Sequence, residues 1–288
     1  MVEAARGAGI NWLASYPKSG NTWMRMLLAN YVRDDGASHD INAVGVINGI
    51  ASWRARFDEI LGISSNDLTW AEERPLRPHV YRAIAAHSAA PVWMKVHDAQ
   101  DRLPDGQWLF PPEASHAAIY LIRNPLDVAV SYAFHAGKPV AEASDWLCDP
   151  DHIVGRASRH QLPQFTGSWS DHATSWIDQT EIPVCVIRYE DMLADTASQL
   201  ARVIAFARPD LSLDTSRLAE AVEQSRFGTL QAAEAETGFR EKNERSARFF
   251  RSGRANAWHD HLTPEQARRI CTAHRQTMLR FGYDPDVA

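Results

Sequence analysis

Lys18 stands in the nonapeptide Ser15-Tyr16-Pro17-Lys18-Ser19-Gly20-Asn21-Thr22-Trp23, between a short apolar run and a stretch whose apolar residues recur at helical spacing. A lysine, a glycine and hydroxyl side chains at a strand-to-helix turn make an anion site. The glycine lets backbone approach a ligand, the first helical amides have no partner within the helix, and the lysine adds a full charge. This is not the triphosphate loop GxxxxGK[ST], because the lysine precedes Gly20 by two and the first glycine is missing. A strand–Gly–helix turn also serves purely structural ends, and the nonapeptide alone leaves both readings open.

A second cation, Arg123, precedes Asn124-Pro125 and is followed at helical distance by Ser131. An arginine fork at a strand end, with a hydroxyl donor two turns into the next helix, suits one dianionic phosphate, because the guanidinium donates two parallel hydrogen bonds. The plainer alternative is that Arg123 pairs with Asp127 at the helix start. Proton abstraction near neutral pH calls for histidine, and twelve histidines compete. His97 ends the run Met94-Lys95-Val96-His97, which places it at the C-terminal end of a predicted strand with Lys95 on the same strand face. His259-Asp260-His261 lacks a third ligand and the i, i+4 spacing of a helical zinc site, so no metal is expected.

Such residues need a frame that brings strand ends together. Residues 10–16, 92–96, 117–122 and 184–187 read as short buried strands. Residues 22–32, 126–136, 168–179, 192–206 and 264–281 read as helices, the last with Thr263 as N-cap and Pro264 in its first position. The alternation predicts one α/β domain over residues 1–288, a central parallel sheet flanked by helices, with ligands at the strand C-terminal ends. The stretch 32–91, rich in Trp, Arg and Pro without clean periodicity, reads as helices and loops capping that edge.

Composition narrows the partners. With 45% apolar and 23% charged residues the chain is globular, and its net charge of −6 argues against a general nucleic-acid binder, which needs a basic face. Cys148, Cys185 and Cys271 are odd in number and far apart, as suits reduced thiols. No apolar run long enough for a signal peptide or membrane span occurs, so a cytoplasmic location is expected.

The loop YPKSGNTW closely resembles YPKSGTTW of the sulfotransferases that use 3′-phosphoadenosine 5′-phosphosulfate (PAPS) as donor and release adenosine 3′,5′-bisphosphate (PAP). Residues 123–131 resemble the same family's RxPxDxxxS, residues 187–192 its YEDM stretch, residues 94–97 its KTHLP, and residues 249–258 its FxRKGxxGxW. The resemblance implies a fold like that of the P-loop kinases, with a phosphosulfate loop at 15–23 and a cofactor-covering segment at about 240–263. It further implies that Lys18, Ser19, Gly20, Asn21 and Thr22 cradle the phosphosulfate and that Trp23, Tyr189 and Phe227 seat the adenine. Arg123 and Ser131 would clamp the 3′-phosphate, with Arg251, Ser252 and Gly253 closing over it. His97 would be the general base, with Lys18 stabilising the leaving oxygen and Lys95 assisting.

Departures are instructive. Ser252 replaces a lysine, which either leaves one phosphate contact weaker or passes it to Arg254. Ala257 replaces a glycine or acidic residue, and Asp98 replaces a leucine, implying an altered acceptor side. The animal dimer motif KxxxTVxxxE is replaced by His259, Thr263, Pro264 and Arg268, which leaves monomer or homodimer open. The acceptor stays open among phenols, sterol-like alcohols, lipid headgroups and glycosylated natural products. Trp53, Trp70, Tyr81, Trp93, Trp108, Tyr132, Phe134 and Trp146 are candidates for its pocket or for core. A nucleotide kinase using Asp191 as magnesium ligand and a non-catalytic PAPS-binding protein are the rival readings.

Overall fold

The computed structural model describes residues 8–32, 40–42, 49–243 and 245–287. The chain runs β1 (Ile10–Ser15), α1 (Asn21–Val32), β2 (Gly49–Ile50), α2 (Arg54–Leu61), α3 (Trp70–Glu73), α4 (Arg77–Ala86), β3 (Val92–Val96) and β4 (Ser115–Ile122). It continues through α5 (Pro125–Ala136), α6 (Val140–Cys148), β5 (Ile153–Val154), β6 (Gln164–Phe165), α7 (Trp169–Ile177) and β7 (Val184–Arg188). The last part is helical: α8 (Tyr189–Ala194), α9 (Thr196–Ala207), α10 (Thr215–Gln224), α11 (Phe227–Thr237) and α12 (Pro264–Arg280).

Five parallel strands form one sheet in the order β2-β3-β1-β4-β7, and β5 and β6 form a separate antiparallel pair. All six residues of β1 are buried, as a central strand covered on both faces requires. Successive side chains alternate between faces. Leu13, Ile119 and Leu121 pack with Met24 and Leu27 of α1 and Leu200 and Val203 of α9. Trp12, Ala14, Tyr120 and Ile122 pack on the opposite side with Tyr81, Trp176 and Ile270.

Local chemistry starts and stops the helices near the sheet edge. Asn124 caps α5 by accepting from the Leu126 amide at 3.0 Å, Pro125 takes the first helical position, and Gly137 ends the helix at φ 63°. Thr263 and Gln266 exchange hydrogen bonds in a capping box, with Pro264 at the start of α12. The predicted helix 192–206 is two helices. Asp195 leaves the helical region at φ −148° and accepts from the Ser198 amide at 3.1 Å, so its capping chemistry ends α8 and opens α9. In the stretch 32–91, β2 extends the sheet beside β3 and α4 packs Tyr81 beneath it. Residues 1–7, 33–39, 43–48, 244 and 288 lie outside the described residues, and with them parts of that stretch, of the N-terminus and of the segment at about 240–263.

Register decides what happens next. Ala14 pairs with Val96, Ser15 with Leu121, and Ile122 with Arg188, so four strands end at nearly one level. The residues that follow them, Tyr16 to Ser19, His97, Arg123 and Tyr189, therefore share one edge. Among the described residues no helix is long and apolar enough to cross a membrane.

Candidate active site

A cavity of about 750 Å³ opens over that edge. Lys18, Gly20, Asn21, Thr22 and Trp23 line it from the first loop and α1, Lys95 and His97 from β3, and Arg123 and Ser131 from the β4–α5 junction. Tyr189, Phe227, Arg251, Ser252 and Gly253 complete the wall from the C-terminal half. Ser19 lies behind this wall, fully buried, and its Oγ has no hydrogen-bond partner.

The loop is held from behind. Asn21 Nδ2 donates to the Leu13 carbonyl at 2.8 Å and to Ser15 Oγ at 3.2 Å, so its side chain ties α1 to β1. Lys18 adopts φ 71°, a left-handed conformation costing a non-glycine residue about 1–2 kcal/mol. Its Nζ stands 4.3 Å from the centre of the Phe249 ring. Burial, with Lys95 and Arg123 close by, lowers its pKa to about 7.

His97 Nδ1 lies 2.8 Å from the Ser15 carbonyl oxygen. A carbonyl only accepts, so Nδ1 carries the proton and Nε2 keeps its lone pair. Burial, and then Lys95, push the imidazole well below its ordinary pKa. A second histidine fixes the backbone here. His172 Nε2 donates to the His97 carbonyl at 3.1 Å, and His172 Nδ1 accepts from Tyr120 Oη at 2.8 Å.

At the other end, Arg123 has a guanidinium 4.3 Å over the Tyr189 ring, donates to the carbonyls of Lys18 and Arg254 at 3.3 Å each, and has an unpartnered Nε. It does not pair with Asp127, which instead accepts from the amides of Asn256 at 2.7 Å and Trp258 at 3.1 Å and so anchors the covering segment. Trp23 meets Tyr189 edge-on at 5.8 Å and donates to the Ser225 carbonyl at 3.0 Å. Two glycines permit this crowding. A Cβ on Gly20, at φ 101°, would fall 2.8 Å from Tyr189, and one on Gly253, at φ 62°, would fall 2.4 Å from Phe227. The unpartnered Arg123 Nε, with Trp23, Tyr189 and Phe227 in the same wall, fits an anionic nucleotide.

Several expectations need correction. Arg254 does not replace the missing lysine, because its guanidinium pairs with Asp260 at the surface and is not in the cavity wall. Asp98 does not face an acceptor. It is fully buried and bound by both terminal nitrogens of Arg77 at 2.9 and 2.6 Å, with the Phe165 amide at 3.0 Å. Asn256, at φ 59°, is the left-handed residue of the covering turn, so it stands in the glycine position assigned to Ala257. Asp191 pairs with Arg188 away from the cavity, so it does not supply an acidic group there. His259 stacks on Trp258 and His261 meets Phe134, which sends them to separate aromatic contacts.

Of the candidate pocket aromatics only Tyr132 reaches the wall. Tyr81 and Trp93 are core, Trp146 backs Tyr132 at 4.9 Å, and Trp53 is exposed. The same wall also holds Ile50, Val154, Gln161 and Gln164. Sequence reading missed Glu241, Arg25, Arg240 and His135. Glu241 lines the cavity and accepts from Arg25 Nη1 at 2.5 Å and Lys95 Nζ at 3.3 Å. Although burial opposes it, Lys95 and Arg25 hold its carboxyl well below the usual range. The one local signal was a charge inside the apolar run of α1, where Arg25 is 2% exposed.

A parallel sheet carrying an anion loop at the end of its first strand is an architecture of nucleotide-dependent transferases. The sequence matches the sulfotransferase domain over residues 11–282, and the chain belongs to that family. It is 27% identical over 286 residues to cytosolic sulfotransferase 1 of Arabidopsis thaliana, covering 90% of this chain and 75% of the relative. It is 25% identical over 287 residues to the amine sulfotransferase of Oryctolagus cuniculus, covering 94% and 81%. A mouse sulfotransferase complexed with PAP shares the fold at a TM-score of 0.59 and 19% identity, over 94% of this chain and 84% of that one. Retinol dehydratase in a complex with retinol and PAP does so at 0.60 and 17%, over 96% and 82%. The chain is thus a sulfotransferase with the P-loop-kinase-like fold of that family.

Proposed function

We propose that this one domain transfers a sulfuryl group from PAPS to the hydroxyl of a small-molecule, lipid or natural-product acceptor, with His97 as general base. The observation that carries this reading is the hydrogen bond from His97 Nδ1 to the Ser15 carbonyl, which leaves the Nε2 lone pair free in a cavity walled by Lys18 and Lys95. PAPS, when bound, supplies an activated sulfuryl group on a phosphate leaving group.

The protein's part is positioning and charge. Lys18, with the backbone of Ser19, Gly20, Asn21 and Thr22, holds the 5′ anion and stabilises the leaving oxygen. Arg123 and Ser131 hold the 3′-phosphate, Trp23, Tyr189 and Phe227 enclose the adenine, and Arg251, Ser252 and Gly253 cover it. His97 Nε2 takes the acceptor proton, while Lys95, two residues away on the strand, opposes charge build-up on the imidazole and adds attraction for the anion. Ile50, Val154, Gln161 and Gln164 give the acceptor a part-apolar, part-amide surface, which favours an alcohol with further polar groups over a bare sterol.

Calorimetric titration of the metal-free protein with PAP, with ATP plus magnesium as the comparison ligand, tests the donor site. Tight PAP binding without magnesium is expected. Binding of ATP–magnesium alone would overturn the reading.

A further inference from the structure

Glu241 contributes the only carboxylate among the described residues of the cavity wall. Its Oε1 accepts from Arg25 Nη1 at 2.5 Å, and its Oε2 from Lys95 Nζ at 3.3 Å and Thr22 Oγ1 at 3.5 Å. Thr22 lies in the first turn of α1 behind Lys18, and Lys95 lies two residues before His97. An oxyanion placed between Lys18 and His97 would find these same donors. Lys95 Nζ and Thr22 Oγ1 already serve the carboxylate, and like charges cannot share so small a space.

Resting on the donor-site reading above, we propose that Glu241 fills the sulfuryl subsite as an internal anion, so that it discriminates between the sulfonated donor and the desulfated product. The donor has to displace the carboxylate from Lys95 and Thr22, whereas the product, lacking the sulfuryl group, leaves those contacts in place. The neighbouring backbone is fixed, since Phe239 is buried and the Arg240 amide donates to Asn42 Oδ1 at 2.8 Å. The exchange is therefore a side-chain rotation. After transfer, the carboxylate returns to Lys95 and Thr22 and refills the emptied subsite.

The test compares Glu241→Gln with the wild-type protein by calorimetry, using PAPS without acceptor and PAP in parallel, with thermal melts to establish folding. Donor affinity should tighten about tenfold or more, and PAP affinity should change by less than about threefold. Equal shifts for the two ligands, or weaker donor binding, would make Glu241 a static counter-ion and overturn the proposal. If the glutamine variant fails to fold, Glu241→Asp, a methylene shorter and so drawn back from Lys95, should move the donor-to-product ratio in the same direction, and an unchanged ratio defeats the idea. Wild-type protein that binds neither ligand removes the donor-site reading and this one together, whereas PAP binding with an unchanged ratio removes this one alone.

Discussion

At the scale of single residues, His97 owes the free lone pair on Nε2 to a backbone carbonyl rather than to a carboxylate partner. A general base contributes roughly 10²–10⁴-fold to rate, so His97→Gln should lower transfer by about that factor while PAP affinity stays nearly constant. Turnover at the wild-type rate would remove His97 from the mechanism. Lys18 carries a pH signature. Its pKa is lowered to about 7 in the free protein, and a bound phosphate raises it again by favouring the charged form. PAP binding should therefore take up part of a proton above about pH 7, with affinity falling as pH rises, and become pH-independent with respect to this group below it. Calorimetry at pH 8 in two buffers of different ionisation enthalpy measures that uptake, and a value of zero would mean Lys18 is already charged.

At the scale of elements, the end of β3 is stitched to its surroundings by Asp98, which receives Arg77 from α4 and the Phe165 amide from β6. Removing one partner strands the other as a buried charge. Asp98→Leu alone should cost about 3–5 kcal/mol, and Arg77→Leu with Asp98→Leu should recover most of that, less about 1–3 kcal/mol for the orphaned Phe165 amide. Urea unfolding of both single variants and the double variant decides this, and a double loss equal to the sum of the two single losses would mean the pair is not coupled. The same element explains why a changed residue beside His97 need not change the cavity wall: the Asp98 side chain is fully buried, and of the two only His97 lines the cavity.

At the scale of the whole molecule, the cavity is assembled from both halves of the chain, the N-terminal loop and strands and the C-terminal segment anchored by Asp127. A ligand bound across them stabilises only the folded state. PAP at about 100 times its dissociation constant should add about 2.7 kcal/mol, which scanning calorimetry reads as a rise of several degrees in Tm. Asp127→Ala, which frees the amides of Asn256 and Trp258, should shrink that rise. An undiminished rise would show that the covering segment does not contribute to binding.

Much of this architecture was legible in the residue order, because each strand and the loop after it are local patterns. Lys18, His97, Arg123 and Tyr189 each sit just past an apolar run, and a parallel sheet carries such residues to one edge whatever the details of its flanks. The partnership of charges was not legible. Arg25 meets Glu241 across 216 residues of chain, and Asp98 meets Arg77 rather than an acceptor. Even the helix break at Asp195 turned on which amide its carboxylate captured. Local pattern in the residues was enough for the main strands, most of the flanking helices, the anion chemistry and the family resemblance. Only the tertiary structure decided which ionised groups neutralise one another and which are left facing the cavity, because Coulomb and hydrogen-bond energies depend on distances that folding alone sets.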